Sequence, residues 1–298
     1  MGSSTRDKTF TAQKEGIEVT VERLGTDGDM EKAIELIKKL DGKVDAIGLG
    51  GIDLYLVANN KKYIIRDAQK MAEAAKTTPV VDGSGLKNTL ERYALTYIAE
   101  NNIIDFNGKK VLLVSGLDRF GMAEMLPTLG AKVIYGDVMF ALGLPFKVTR
   151  LRTLKVLAAV LLPIIGRLPF KMIYPTGNKQ EKQSRRQEKY HKIFEENEVI
   201  AGDFHYISRY MPANMAGKII ITNTTTKSDI ENLFAKQVKM VISTTPNFDG
   251  RSFGTNLCEG IVVAISGKKT EEMTPEDYEY YIKKLNWLPN IIKNDIMS

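Results

Sequence analysis

The first hundred residues contain short apolar segments of two different periods. Residues 17–22 alternate apolar and polar side chains, which is typical of a half-buried β-strand. Residues 30–40 repeat apolar side chains at helical spacing, and Asp29 directly before them is a suitable N-cap. An apolar run over 44–49 predicts a buried strand, and apolar segments on both sides of Asn59-Asn60-Lys61 predict a hairpin. This part of the chain is therefore predicted to have a mixed α/β fold.

A different pattern starts at Gly108. Residues 111–114 are continuously apolar, as in strands that are buried on both faces of a parallel sheet. A glycine-containing turn, a helix over 122–129 and a second strand over 133–135 follow, which together form a βαβ unit. Apolar strands over 198–201, 218–222 and 239–243 continue the alternation with helices. The sequence therefore predicts an α/β, Rossmann-like domain with a doubly wound parallel sheet.

These patterns divide the chain into domains. We expect an N-terminal substrate and catalytic domain over residues 1–104. A dinucleotide-binding domain is expected over 105–270, with an insertion at about 140–195. Residues 271–298 are expected to form a C-terminal helical segment that packs back onto the rest.

The insertion is apolar at its start and basic at its end. Residues 156–165 form an apolar run of about ten residues, half of what a membrane-spanning helix needs. A buried helix or a helical cap over a pocket is the favoured interpretation. A membrane-surface helix is the alternative, because cations precede the run; they are Lys147, Arg150, Arg152 and Lys155. The basic end is predicted to be a solvated helix face, and contact with an anionic partner is the alternative. Its cations are Lys179, Lys182, Arg185, Arg186, Lys189 and Lys192.

Composition narrows the function classes. Hydrophobic residues make up 43% of the 298 and charged residues 26%, which is globular composition, with a formal net charge of +6. Cys258 has no second cysteine for an intrachain disulfide, and the N-terminus lacks the apolar core of a signal peptide, so we expect a cytoplasmic protein. Two histidines and one cysteine predict no metal site, and the absence of a nucleic-acid motif predicts no nucleic-acid partner.

A dinucleotide site is predicted where the first strand of the βαβ unit meets its helix. Gly116 and Gly121 frame the turn, and a helix N-terminus there would offer unpaired backbone N–H groups to phosphate. Asp137 follows Gly116 by 21 positions, where dinucleotide folds place an acid that binds the ribose 2′-hydroxyl. A carboxylate there would repel a 2′-phosphate, so NAD is favoured over NADP. The alternative is a tight turn that binds no ligand.

Further cofactor candidates lie beside this turn and at the ends of later strands. Arg119 is predicted to be either a phosphate contact or a surface residue. The hydroxyl and amide side chains at two strand ends would bind ribose or nicotinamide, although Thr226 or Ser228 would serve only to cap a helix. The predicted cofactor-binding set is Gly116, Asp118, Arg119, Phe120, Gly121, Asp137, Thr222, Asn223 and Thr244.

The segment Thr78-Pro-Val-Val-Asp82-Gly83-Ser84-Gly85, placed before the βαβ unit, resembles the shikimate/quinate 5-dehydrogenase family. The resemblance implies that Asp82 is the catalytic aspartate, which binds a substrate hydroxyl and works with a lysine in proton transfer. Lys62 and Lys70 are predicted for that role, and Lys76 is also available; the alternative is that these are surface lysines. Arg66 and Ser84 are predicted to bind substrate. From residue type alone, Asp82-Gly83 also fits an ordinary turn.

The chain departs from that family at several points. Its Ser-x-Ser substrate motif, its lysine motif and its Gly-x-Gly-Gly cofactor loop are not present here. These departures favour the alternative of a regulatory or non-catalytic protein that keeps the nucleotide-binding fold.

One more segment carries chemistry-bearing residues. His205 and Arg209 follow a predicted strand end, where open α/β sheets bind ligands. His205 would act as a general acid or base and Arg209 as an anion clamp, or the segment would be a packed loop with aromatic anchors. The sequence as a whole predicts an NAD(P)-dependent oxidoreductase, and the family resemblance implies a secondary alcohol as substrate, such as a quinate-like ring acid. Its partner would be this small-molecule substrate, and a homo-oligomer is left open.

Overall fold

The computed structural model describes residues 2, 4–14, 16–58, 61–168, 188–248 and 251–294. The first half of these residues contains a mixture of short strands and helices. In chain order they are β1 (Lys8–Lys14), β2 (Ile17–Arg23), α1 (Met30–Leu40), β3 (Ile47–Gly48), β4 (Tyr55–Ala58), β5 (Lys61–Ile64), α2 (Arg66–Ala72), β6 (Val80–Val81), α3 (Ser84–Glu100), β7 (Lys110–Leu113), α4 (Phe120–Thr128) and β8 (Lys132–Tyr135).

The second half continues the alternation after a helical region. Its elements are α5 (Asp137–Phe140), α6 (Leu151–Ile165), α7 (His191–Glu195), β9 (Val199–Ala201), α8 (Phe204–Tyr210), β10 (Ile219–Thr222), α9 (Lys227–Ala235), β11 (Met240–Ser243), β12 (Asn247–Phe248), β13 (Arg251–Ser252), α10 (Thr255–Ser266), α11 (Pro275–Lys284) and β14 (Asn290–Lys293).

The chain packs as two compact units, and each is discontinuous in sequence. The first unit comprises Met1–Thr89, Leu161–Tyr174 and Asn247–Trp287. The second comprises Leu90–Val160, Pro175–Pro246 and Leu288–Ser298. These compact units do not test the predicted functional domains, whose boundaries after residues 104 and 270 stay predictions.

The second unit is built on a six-stranded sheet in the order β14-β11-β10-β9-β7-β8. The five strands from β7 to β11 pair in parallel, which confirms the predicted Rossmann-like, doubly wound α/β fold. Their apolar runs are buried, and β11 is buried at all four positions. The strand order reverses between β7 and β9, so the carboxyl ends of these two strands flank the point where such sheets bind ligands.

The C-terminal region differs from the predicted helical segment. Residues 275–284 do form α11, which begins with Pro275 at its first turn and has a capping box from Thr274 and Asp277. The chain then adds β14 to the sheet, antiparallel to β11, with Ile292 opposite Val241. The sequence prediction missed β14 because its four residues contain only two apolar side chains.

The first unit combines short two-stranded sheets with helices. The antiparallel pairing of β4 with β5 and the bounds of α1, capped by the side chain of Asp29, confirm the prediction, while the predicted turn residues Asn59 and Asn60 lie outside the described residues. The predicted strand over 44–49 shortens to β3, which pairs in parallel with β6. Side chains from α1, β3, α2 and the segments between them form the core of this unit, including Ile37, Ile47, Leu54, Ile65 and Met71.

The apolar run of the insertion is part of α6, so the predicted helix is confirmed there. Only one face of α6 is buried, through Leu154, Ala158 and Leu162. Within the described part of the chain, no helix combines the length and the apolarity that crossing a membrane requires. Most of the predicted basic cluster, including Lys179 and Arg185, lies outside the described residues, whereas Lys189 and Lys192 lie inside them.

Candidate functional site

The predicted phosphate loop connects β7 to α4. Asp137, which follows β8, points its carboxylate back at this loop. The backbone N–H of Gly116 donates to Asp137 Oδ2 at 3.0 Å, and that of Leu117 donates to Oδ1 at 2.8 Å. Two residues predicted to bind different parts of a dinucleotide, Gly116 and Asp137, therefore contact each other directly.

Burial controls the ionisation of Asp137. Its side chain is 8% exposed, and burial raises the pKa of its carboxyl to about 6, against the opposing effect of the two loop N–H donors. A methyl group on Gly116 would lie 3.1 Å from Asp137 Oδ2, a tight contact that glycine avoids. The loop forms a small anion site whose anion is a carboxylate of the same chain.

The loop is shorter than predicted. Phe120 and Gly121 are buried in the first turn of α4 and do not belong to the turn between strand and helix. The backbone N–H of Met122, in the same helical turn, donates to Glu91 Oε2 at 3.3 Å. The N-terminus of α4 is thus supplied with its own carboxylate from α3, which favours the helix through its dipole.

Arg119 was predicted to be either a phosphate contact or a surface residue, and the second of these alternatives is wrong. Its side chain is buried, and Nη1 lies 3.1 Å from Glu91 Oε1 while Nη2 lies 2.9 Å from Asp203 Oδ2. Asp118, a predicted cofactor residue, adds a third carboxylate at 3.1 Å from Nε. Burial alone would lower the pKa of Arg119, but the carboxylates of Asp118, Glu91 and Asp203 raise it overall.

Sequence reasoning missed Glu91. Glu91 is 1% exposed on α3, on the same helix face as Leu95 and Ile98, which are fully buried. An acid on an otherwise apolar helix face was the available signal, since such an acid requires a buried partner. The pattern did not identify Arg119 as that partner.

Side-chain hydrogen bonds link the strand ends at the point where the strand order of the sheet reverses. The N–H of Asp203 donates to Ser115 Oγ at 3.1 Å, and Asn223 Nδ2 donates to Asp203 Oδ2 at 3.0 Å. Thr222 is fully buried, and its hydroxyl donates to the carbonyl of Gly202. The predicted cofactor residues Thr222 and Asn223 therefore connect the ends of β9 and β10, while Thr244 is buried and donates its backbone N–H to Thr222.

His205 and Arg209 lie on α8, not on a loop. His205 is exposed, and its backbone N–H donates to Asp203, which caps the helix. The guanidinium of Arg209 lies 5.7 Å from the ring centroid of Tyr210, whose hydroxyl donates to the carbonyl of Phe140. Tyr206 and Tyr210 stack on the same helix, as in the interpretation with aromatic anchors. The catalytic role of His205 and the clamp role of Arg209 stay predictions.

In the first unit, Asp82 is 8% exposed and accepts three backbone hydrogen bonds. Oδ2 accepts from Leu54 at 2.5 Å and from Tyr55 at 3.0 Å, and Oδ1 accepts from Ser84 at 3.0 Å. The acid therefore joins the β4 segment to the start of α3. Ser84, a predicted substrate residue, is itself buried at the first position of that helix.

A second buried acid, Glu259, lies against the same turn and was missed by the sequence prediction. Its Oε2 accepts the N–H of Gly83 at 2.6 Å, and its Oε1 accepts the hydroxyl of Tyr278 at 2.7 Å. Burial first, and Asp82 second, raise the pKa of Glu259 to about 7. Gly83 has φ +95°, and a methyl group there would lie 2.6 Å from Asn256 N, so only glycine allows this approach.

The predicted lysines and Arg66 are exposed. The ammonium of Lys62 lies 5.3 Å from the ring centroid of Tyr55, and its charge lowers the pKa of Glu259. Lys70 pairs with Asp67 at 3.5 Å, and Arg66 is the first residue of α2. Of the candidate cations in this unit, Lys62 is therefore the one that is exposed to solvent and also interacts electrostatically with a buried acid.

Family comparison covers most of the chain. Residues 85–294 match a family described as Domain of unknown function (DUF8754). The chain belongs to this family. Residues 1–82 match a second one, described as Domain of unknown function (DUF8753). No curated protein matches the chain.

Solved structures resemble this DUF8754 protein at low identity. The glutamate dehydrogenase from Thermus thermophilus (hetero-hexameric, Leu-bound form) has TM-score 0.45 and 13% identity over 91% of this chain. A dipicolinate synthase from Bacillus subtilis has TM-score 0.30 and 9% identity over 77%, and a dipicolinate synthase from Bacillus halodurans has TM-score 0.30 and 14% identity over 73%. The chain spans 65%, 62% and 62% of the length of these three structures, respectively. These scores assign no activity to the chain, and the resemblance to shikimate/quinate dehydrogenases stays a prediction.

The DUF8754 protein has a cavity away from the predicted loop. It measures about 500 Å³ and lies beside β8, lined among others by Pro127, Ile134 and Leu151. None of the predicted cofactor residues lines it. Among the residues that the structure describes, no group of three or more His, Cys, Asp or Glu could hold a metal, and Cys258 is buried in α10.

Proposed function

We propose that this protein is an NAD(P)-dependent oxidoreductase that binds its dinucleotide at the carboxyl end of the sheet in the second unit. The observation that carries the proposal is the approach of the β7–α4 loop to Asp137. Backbone N–H groups of Gly116 and Leu117 reach 3.0 and 2.8 Å from one carboxylate, so the loop is shaped to hold an anion. The acid that dinucleotide folds use for ribose lies in the same place.

Cofactor binding would exchange one anion for another. The phosphate would accept the N–H groups of Gly116 and Leu117, and the carboxylate of Asp137 would turn to the ribose hydroxyls. The carboxylate disfavours a 2′-phosphate, which supports NAD over NADP. When bound, the nicotinamide would take up the hydride of the substrate.

Substrate chemistry is assigned to the first unit. The resemblance to shikimate/quinate dehydrogenases supports Asp82 as the acceptor of the reacting hydroxyl and a secondary alcohol on a hydroxylated ring acid as the substrate class. Lys62 is the lysine that we favour for the proton, because its charge acts on Glu259 beside the Asp82 turn. Lys70 is less suitable, since it is 60% exposed and pairs with Asp67.

A second candidate is a regulatory or non-catalytic protein that keeps this fold. It is favoured by the number of intramolecular contacts at the predicted sites. Asp137 is bonded to the loop, Arg119 is enclosed by three carboxylates, and Asp82 accepts three backbone N–H groups. Ionic groups that all have partners within the chain make a site rigid. These residues are then explained by their structural contacts, without a catalytic role.

Titration calorimetry with NAD, NADH, NADP and NADPH tests the cofactor assignment. The wild-type protein should bind NAD or NADH, and Asp137→Ala should weaken that binding about 10- to 100-fold, the value of a charged hydrogen bond to ribose. Asp45→Ala is the matched control, because Asp45 is an exposed acid of the first unit. No binding of any of the four nucleotides would contradict the proposal.

Turnover separates the two candidates. With a panel of hydroxylated ring acids, the enzyme should reduce NAD, and Asp82→Asn should abolish this while cofactor affinity stays within about twofold. Because Asp82 also joins two segments, a thermal melt of the variant must show an intact fold. A wild-type protein that binds the nucleotide but turns over none of the panel supports the second candidate.

A further inference from the structure

Exposed apolar side chains are concentrated in one part of this protein. Among the described residues, six of the nine large apolar side chains that are exposed lie between residues 142 and 164. Phe146 is 63% exposed, Val156 64% and Val160 58%; the others are Leu142, Leu144 and Ile164. Scattered single apolar residues on a surface need no explanation, but a cluster of them along one short stretch of chain indicates an interaction site.

The helix α6 contributes half of the cluster. Leu154, Ala158 and Leu162 are spaced four apart and form its buried face. Val156, Val160 and Ile164 are also spaced four apart and form a second apolar row that is exposed. A surface helix normally has polar residues opposite its buried face, so this second row indicates a partner that is itself apolar.

The stretch of chain that carries the cluster has charges of one sign. Residues 138–180 contain seven Lys or Arg and no Asp or Glu. Of these cations, Arg150, Arg152 and Arg167 are exposed beside or within the apolar segments. Lys147 and Lys155 pair with Glu196 and Glu124, which come from other elements. The complementary surface is therefore apolar at its centre and anionic at its boundary.

We infer that residues 142–164 form a surface that binds an anionic phospholipid bilayer. Aliphatic and aromatic side chains next to arginines match the acyl and phosphate levels of such a bilayer. A second copy of the chain fits less well, because the same cations would face each other across the contact. No described helix can cross a membrane, so α6 would lie in the headgroup region, parallel to the surface. The inference is independent of the proposed oxidoreductase function.

Vesicle co-sedimentation of the full chain tests this inference. We expect the protein to sediment with vesicles of phosphatidylcholine and phosphatidylglycerol, and at least about tenfold more weakly with phosphatidylcholine alone or at high salt. Val156→Ser, Val160→Ser and Ile164→Ser combined should reduce binding at least about tenfold. Arg150→Glu with Arg152→Glu should do the same. Val44→Ser with Tyr280→Ser is the matched control, because these two exposed apolar residues lie in the segment after α1 and on α11.

Two results would overturn the inference. One is the absence of sedimentation with the anionic vesicles, or binding that the triple variant leaves unchanged within about twofold. The other is a dimer in light scattering that the triple variant converts to a monomer while no vesicle is bound, which would assign the face to a second copy. Thermal melts of all variants exclude loss of the fold as the cause.

Discussion

Buried ionic residues in this protein are matched in two different ways. Arg119 is surrounded by the carboxylates of Glu91, Asp118 and Asp203, so each of these acids has a cation nearby. Glu259 has hydrogen-bond donors, Gly83 and Tyr278, but it lies beside a second acid, Asp82. Charge on Glu259 is therefore opposed by its surroundings, and its contribution to stability depends on pH.

Glu259→Gln should remove the part of the pH dependence of stability that Glu259 contributes. Because the folded protein raises the pKa of Glu259 from 4.5 to about 7, the folded state binds the proton more tightly than the unfolded state. The stabilising contribution of protonated Glu259 is then fully present below pH 4.5. It is lost as the pH rises through 7, which lowers the free energy of unfolding by up to about 3 kcal/mol. Urea unfolding from pH 4.5 to 8 should show this fall in the wild type and a smaller one in the variant.

The exposed Glu35 supplies the control for that series. Glu35→Gln, the same substitution at an exposed position of α1, should leave the wild-type slope unchanged. Asp137 contributes a similar fall at lower pH, since burial raises its pKa to about 6. Equal slopes for wild type and Glu259→Gln would show that Glu259 titrates normally in the folded protein.

At the residue scale, the sequence identified acids that follow a motif but not acids that meet a distant partner. Asp82 and Asp137 stand at predicted positions of a turn and a strand end, and the structure places both against backbone N–H groups. Glu259 meets Gly83 across 176 positions of sequence. No local spacing encodes such a contact, because it arises only after the segments have packed.

Secondary-structure elements were predictable where local signals agreed with packing. The α1 bounds follow from a polar cap and an apolar face, and the β7–α4–β8 unit follows from two continuous apolar strands. The strand β1, whose residues are mostly polar, forms because it pairs with β2 over seven positions. Such a strand is stabilised by its neighbour, so its own residues carry little signal.

The helix α9 allows a direct test at this scale, because the sequence left two residues open as its cap. Thr226 is the N-cap: its hydroxyl accepts the N–H of Asp229, and Asp229 accepts the N–H of Thr226 in return. Thr226→Ala should therefore lower the free energy of unfolding by about 1 kcal/mol. Ser228→Ala, two positions later and exposed, should change it by less than about 0.5 kcal/mol in the same denaturation experiment. A larger loss in the second variant would assign the cap to Ser228.

For the whole molecule, the sequence predicted the fold class but not how the chain is shared between its units. Each unit takes three separate stretches of sequence, so neither corresponds to one continuous pattern. The second unit obtains its sixth strand, β14, after the chain has contributed residues 247–287 to the first unit. Local periodicity describes single elements. It carries no information on a chain that leaves one unit and later comes back to it.

A chain that ends at Trp287 should show how much β14 contributes. Loss of β14 leaves β11 at the edge of the sheet and removes the hydrogen bond from Asn294 Nδ2 to Val238 O. An exposed edge of this kind pairs with other molecules, so we expect a melting temperature roughly 5 °C lower or more, with aggregation. A chain that ends at Asn294 keeps β14 and is the control. Identical melting curves and light scattering for the two chains would show that β14 is dispensable.

The late position of β14 also affects how the protein is made. On the ribosome, β11 emerges before residues 247–287, and its partner strand follows only when Asn290 has been translated. At roughly 5 to 20 residues per second, the nascent sheet keeps an unpaired edge for several seconds. During that interval a chaperone, or another nascent chain of the same polysome, has access to a strand that the finished protein covers.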